Sequence, residues 1–239
     1  MPTTITKLSP LASCARALGR ANRPRGRDLR RPALPPLLLM TDQDPPYSLD
    51  APRLLAAVDT LPRGAGIILR HRDPSARARL AAVLAPVCRA RGLVLLIASD
   101  GPLAARVGAA GVHFPEVRAF DARRWRRRHP RWLITTAAHG GRALRLARVE
   151  GADAALLSPV FPTASHPDAR PLGPLRFRRL VGACGLPVYA LGGVNATTAQ
   201  ALKNSGAVGI AGISGLLPGG ISGVAPAGGS ELKVTADQK

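Results

Sequence analysis

From Pro35 to Ser214 short apolar runs alternate strictly with stretches of helical spacing, and that alternation leaves few folds open. The apolar runs are Pro35–Thr41, Ala65–Arg70, Leu93–Ala98, Gly111–Phe114, Trp132–Ala137, the stretch from Gly151 into Ser158, Pro187–Leu191 and Ala207–Gly212. Helical spacing covers Ala51–Leu61, Pro74–Arg91, Pro102–Val107, Val117–His129, Gly141–Glu150, Leu175–Val181 and Thr197–Asn204. Within Pro74–Arg91, Leu80, Val83, Leu84 and Val87 form the expected buried stripe. Apolar runs without alternation suit parallel strands, which are covered on both faces. Eight such units predict an α/β chain closed into a (β/α)8 TIM barrel rather than an open doubly wound sheet.

The two ends do not follow the pattern. After Leu217 the chain is rich in Gly and Pro, so the eighth helix is expected to be missing or degenerate and residues 217–239 flexible. The first 31 residues are Arg-rich, with Asp28 their only acid. Their composition is similar to an organelle transit peptide, although a disordered tail or a misassigned start accounts for it more simply. Leu8, Leu11, Ala15 and Leu18 have helical spacing and would suit a cover for the groove beside the last strand. Composition argues more strongly for disorder. The expected division is a basic, disordered extension over 1–34, a barrel over 35–216 and a tail over 217–239.

The formal charge is +20, from 34 Lys and Arg against 14 Asp and Glu, and it invites a nucleic-acid reading. Only Lys7, Lys203, Lys233 and Lys239 are lysines, and an Arg, Ala, Gly and Pro surplus is what a GC-rich genome produces unaided. We read no helix-turn-helix pattern and no basic motif interleaved with aromatics, so nucleic acid is not an expected partner. The arginines from Arg123 to Arg128 are read as the solvated face of their helix. Cys14, Cys88 and Cys184 fit neither a disulfide framework nor a zinc spacing, which favours a reducing, cytoplasmic setting. No apolar run is long enough to span a bilayer, so no membrane partner is expected.

Candidate functional residues collect where the runs end. Gly192-Gly193 and Gly212-Ile213-Ser214 end neighbouring strands late in the barrel, where backbone N–H groups favour a phosphate. Thr163 and Ser165 follow Pro162, and their hydroxyls belong to the same rim. Alone they would be ordinary turn residues. His139 ends the fifth run and suits general acid–base work, with a hydrogen-bonded loop histidine as the bland reading. His113 is expected to be a buried strand-end residue.

Together these segments resemble the superfamily of thiamine phosphate synthase and the TenI-type thiazole tautomerase. The resemblance rests on Gly151-Ala152-Asp153 through Pro159-Val160-Phe161-Pro162-Thr163, on Leu191-Gly192-Gly193 and on Gly209–Ser214. Gly111-Val112-His113 and Arg70-His71-Arg72 add to it. It implies the same barrel and a place in thiamine biosynthesis. A synthase of this family joins a hydroxymethylpyrimidine diphosphate to a thiazole phosphate with loss of pyrophosphate, using Mg2+. The family's Asn-Asp-Asp stands here as Ala98-Ser99-Asp100, which leaves Asp100 a weak candidate for metal. Its other metal aspartate falls at Arg118, its fifth-strand serine at Ala137 and its lysine at His166.

The thiazole phosphate half matches better, through Thr163, Ser165, Gly192, Gly193 and Ser214. This imbalance favours tautomerisation of a thiazole phosphate with His139 moving the proton, which needs no metal. The alternatives are a divergent synthase, with Arg70, Arg72 and Arg118 supplying the charge that Mg2+ would bring, and a non-catalytic phosphate-binding paralogue. The expected ligand-binding residues are Arg70, Arg72, Thr163, Ser165, His166, Gly192, Gly193, Ile213 and Ser214, with His139 catalytic.

Overall fold

The computed structural model describes residues 8–22, 30–42, 50–163 and 168–213. Strands β1 (Leu37–Met40), β2 (Gly66–Leu69), β3 (Val94–Ala98), β4 (Gly111–Phe114), β5 (Leu133–Ala138), β6 (Ala154–Leu157), β7 (Val188–Ala190) and β8 (Gly209–Gly212) pair in parallel, each with the next. Pairing of β8 with β1, Leu39 opposite Gly212, closes the ring. The predicted (β/α)8 barrel is therefore the fold.

The apolar residues divide into two shells. Leu38, Met40, Ile68, Leu96, Leu133, Leu156 and Tyr189 fill the barrel interior, and Leu39, Ile67, Leu69, Ile97, Ile134 and Leu157 face the helices. Neighbours along a strand thus alternate between shells while both stay buried, as a period of two requires.

The helices are α1 (Leu8–Ala21), α2 (Ala51–Asp59), α3 (Pro74–Arg91), α4 (Gly101–Val107), α5 (Asp121–Arg128), α6 (Gly141–Val149) and α7 (Gly173–Cys184). Local chemistry sets several ends. Asp73 caps α3 by accepting from Ser75 N and Ala76 N, Pro74 opens it, and Gly92 ends it at φ 64°. The buried face of α3 is Leu80, Ala81, Leu84, Ala85 and Cys88. Val83, expected inside, is exposed, because the stripe runs one position away from it.

Two helical expectations change form. Val117–His129 is a 3-10 turn at Glu116–Arg118 followed by α5, and Thr197–Asn204 contains a 3-10 helix at Thr198–Leu202.

The N-terminal segment is a correction. Residues 1–34 were expected to be disordered, yet Leu8–Ala21 forms α1, with Leu11, Ala12, Ala15 and Leu18 all buried. It lies against β8, β1 and the Thr198–Leu202 turn. Cys14 Sγ donates to Ala199 O at 3.4 Å, and Asn22 Nδ2 donates to Ala207 O at 2.9 Å. A Cβ on Gly19 would lie 3.2 Å from Val208 O, so α1 sits nearly on the backbone leading into β8. Its Leu and Ala stripe covers apolar surface that a 3-10 turn cannot, which outweighs the basic composition of the segment. Residues 217–239, and any eighth helix, lie outside the described residues.

Candidate active site

The C-terminal ends of the strands form one rim, and the candidate residues are spread along it. At its centre is a contact between neighbouring strand ends. Glu116, in the 3-10 turn after β4, accepts with one carboxylate oxygen from His139 N at 2.9 Å and from His139 Nδ1 at 2.8 Å. Both side chains reach solvent, His139 at 59% exposure and Glu116 at 38%. A carboxylate only accepts, so Nδ1 carries the proton and Nε2 is left to take or give one. The sequence does not single out Glu116, which directly precedes the stretch whose spacing predicts a long basic helix. The signal was present, an acid directly behind Phe114-Pro115 in a strongly basic chain.

Beneath the rim runs a polar layer inside the barrel. Thr41 Oγ1 donates to Arg70 O and accepts from Arg70 N, while Arg70 Nε donates to Thr41 O at 2.7 Å. These bonds hold Arg70 at the head of β2. His113, buried as expected, contacts Thr135 Oγ1 through Nδ1 at 2.9 Å. Burial, and secondarily the charge of Arg70, pushes the His113 imidazole down to about 3, so it is neutral at ordinary pH. His113 braces the floor of the site and carries no charge there.

The Gly192-Gly193 loop is tightly determined. Gly192 has φ 90° and Gly193 φ 65°. A Cβ on Gly193 would come within 2.3 Å of Pro162 O, and one on Gly192 within 2.8 Å of Pro159 Cα. Val160 N donates to Leu191 O and Phe161 N to Gly192 O, which seals the β6 and β7 loops together. The N–H groups of Gly192, Gly193 and Val194 donate to nothing among the described residues. Thr163 is half-buried in that β6 loop, and Ile213 packs on the barrel interior with its side chain. Ser165, His166 and Ser214 lie outside the described residues.

On the other side of the rim the chemistry differs. Asp100 caps α4, its Oδ1 accepting from Leu103 N at 2.9 Å, while its Oδ2 meets Arg77 Nη2 at 3.1 Å. Arg77 also donates to His71 O, tying the β2 and β3 loops. Arg118 pairs with Asp121 at 2.6 Å and turns Nη1 towards Ser99 O at 3.3 Å. Arg72 is exposed on the β2–α3 loop. Mg2+ asks for several oxygen ligands in near-octahedral order. Here the one matching carboxylate is already held by a helix cap and a guanidinium, and another guanidinium stands beside it. Among the described residues no three His, Cys, Asp or Glu side chains gather to hold a metal. The donor set among the described residues does not fit Mg2+.

Comparison with known proteins decides the lineage. The profile described as thiamine monophosphate synthase, of the TMP-TENI type, matches residues 38–216. The chain belongs to the thiamine monophosphate synthase family. A family relative, the "Putative thiamine-phosphate synthase 2" of Aquifex aeolicus, is 36% identical over 148 residues, covering 61% of this chain and 79% of its own. The "Thiamine-phosphate synthase" of Marinobacter nauticus is 32% identical over 176 residues, covering 71% and 78% respectively. The solved "Thiamine phosphate pyrophosphorylase" of Pyrococcus furiosus superposes with a TM-score of 0.60 at 23% identity, over 78% of this chain and 88% of that one. That last likeness speaks for the fold alone. Membership in the thiamine monophosphate synthase family places the chain in thiamine biosynthesis. No helix among the described residues is long and apolar enough to cross a membrane.

Proposed function

We propose that this protein binds a thiazole phosphate at the C-terminal rim and shifts a proton on its ring through His139. The observation that carries this reading is the His139–Glu116 pair. Glu116 holds Nδ1, so Nε2 is presented as a base that takes a proton from one ring position and returns it to another, with no net change in atoms or charge. The unengaged N–H groups at Gly192 and Gly193 supply the phosphate subsite. Thr163, Ser165, His166, Ile213 and Ser214 are proposed to complete it, and Arg70 and Arg72 to add positive charge at the far side.

A second reading has its own support. The relatives bear the name thiamine-phosphate synthase, and the comparisons favour that activity more directly than tautomerisation. In it the nitrogen of the thiazole forms a bond to the pyrimidine's methylene carbon as pyrophosphate departs. Arg70, Arg72 and Arg118 would carry the leaving group's charge.

One assay separates the two. Purified protein is given both thiamine precursors, with EDTA or with Mg2+, and in a parallel arm the thiazole carboxylate phosphate tautomer alone. Tautomer conversion that survives EDTA and is lost in His139→Ala supports proton transfer. Thiamine phosphate formation establishes the synthase and overturns the first reading. Thiazole phosphate binding without either reaction leaves a non-catalytic paralogue.

A further inference from the structure

At the opposite end of the barrel, where α5 turns into β5, lies a cavity of about 470 Å³ lined by Arg30, Arg128, His129, Pro130, Arg131 and Trp132. We propose that it binds a ligand joining a phosphate to a flat ring: a nucleotide, free or within a single strand.

The frame of the cavity is built before any ligand arrives. Asp153, 4% exposed, accepts from Arg31, from Arg126 and from Ile134 N. Arg126 in turn donates to Pro130 O and Trp132 O, and Arg31 donates to Pro130 O. His129 N bonds back to Trp125 O, and Trp132 N to His129 O. The 129–132 turn is thus pinned from three sides.

Its wall is aromatic. The His129 and Trp132 rings stack at 3.7 Å and 9°, with Trp125 at 5.6 Å from Trp132. Arg123, Arg124, Arg127 and Arg128 are solvent-exposed as expected, and Arg126 is the exception. Trp125, His129 and Trp132 are interleaved with the arginines, and Arg126 is drawn inward to Asp153.

Two of the lining arginines keep their charge free of carboxylates among the described residues. Asp153 is taken by Arg31 and Arg126, and Glu150 by Arg123 at 3.2 Å. Arg128 and Arg131 are exposed and meet no carboxylate among the described residues. Arg128 lies over the Trp125 ring, 5.7 Å from its centroid. Guanidinium groups beside stacked aromatic rings suit a phosphate and a base held together. A bare phosphate would make no use of the rings.

The chain has two tryptophans, both in this cluster, so tryptophan fluorescence, excited selectively over Tyr47 and Tyr189, reports on it and not on the rim. The full-length protein is titrated with ADP, with a short oligothymidylate and with pyrophosphate. ADP or oligothymidylate should change the fluorescence, and the Arg128→Gln/Arg131→Gln double variant should bind at least about tenfold more weakly, a loss of one charge-assisted contact or more. Far-UV circular dichroism verifies that the variant is folded. Trp132→Leu, followed by calorimetry, should weaken ADP while leaving pyrophosphate unchanged. Tighter binding of oligothymidylate with a steep salt dependence identifies a strand as the source, and tighter binding of ADP a free nucleotide. No response to either, a response that survives the double variant, or a tryptophan response to pyrophosphate as strong and as tight as that to ADP overturns the proposal. None of these readouts depends on chemistry at His139.

Discussion

A single oxygen of Glu116 receives both the backbone N–H and the ring Nδ1 of His139, at 2.9 and 2.8 Å. The loop after β4 therefore sets both the position and the tautomer of the histidine after β5. If His139 moves the proton, Glu116→Gln should lower kcat by about ten- to a hundredfold, less than the roughly hundred- to ten-thousandfold that a general base itself supplies. KM for the thiazole phosphate should change little, because Glu116 lies away from the glycine loop. His139→Ala should cost more, on the order of a hundredfold or above. Steady-state kinetics on the two variants provide the measurement. Equal losses in KM would place the pair in binding instead.

His113 makes a prediction about stability against pH. Its folded value, about 3, lies below the roughly 6.5 of an unfolded imidazole, so as pH falls the unfolded chain takes up the proton first. This group's contribution is whole above about pH 6.5 and is lost progressively down to about pH 3, at ~1.4 kcal/mol per unit. His113→Gln should flatten that part of the curve. Urea melts of both proteins from pH 7 to 4 provide the comparison, and parallel curves would sink the idea.

Leu18 is 4% exposed on a helix that the basic character of its surroundings conceals. Leu18→Ala should destabilise the protein by ~2–4 kcal/mol, the usual cost of emptying a buried leucine site. Arg16→Ala, two positions away on the exposed face, should change stability by less than about 0.5 kcal/mol. Chemical denaturation of the two variants tests whether α1 belongs to the fold, and equal, small effects would detach it.

Gly193→Ala combines a left-handed φ of 65° with a Cβ placed 2.3 Å from Pro162 O. A cost of ~1–3 kcal/mol is expected from the strain, with weaker binding of thiazole phosphate as the loops part. Gly182→Ala, in α7 with open space around it, should be neutral or slightly stabilising. A melting temperature for each, alongside calorimetric titration, separates loop geometry from general loss of glycine.

The barrel was legible because eight apolar runs, each short and bounded, admit little else. The glycine loop was legible for a related reason: Gly192-Gly193 directly after a strand demands a special backbone. What the linear chain hid were relationships between loops. Nothing local in Pro115-Glu116 says that its carboxylate meets a histidine on the next strand. Nor does anything local in Ala98-Ser99-Asp100 say that Arg77, on α3, comes to the side of that carboxylate. Val83 was misplaced because a helix in a β/α layer selects its buried face by the sheet it lies on. The α1 segment was misjudged because composition describes the average of a stretch, whereas docking depends on one face of it.

The seal over the β8–β1 seam joins the earliest and latest parts of the barrel, for Cys14 meets Ala199 across 185 positions. A ribosome delivers α1 long before the surface it covers exists. Its leucine stripe must wait, uncovered, while seven strands emerge in order. Ring closure and helix docking then complete one another, so the growing chain cannot finish its core piecemeal. Its last strand is the one that makes its first helix useful.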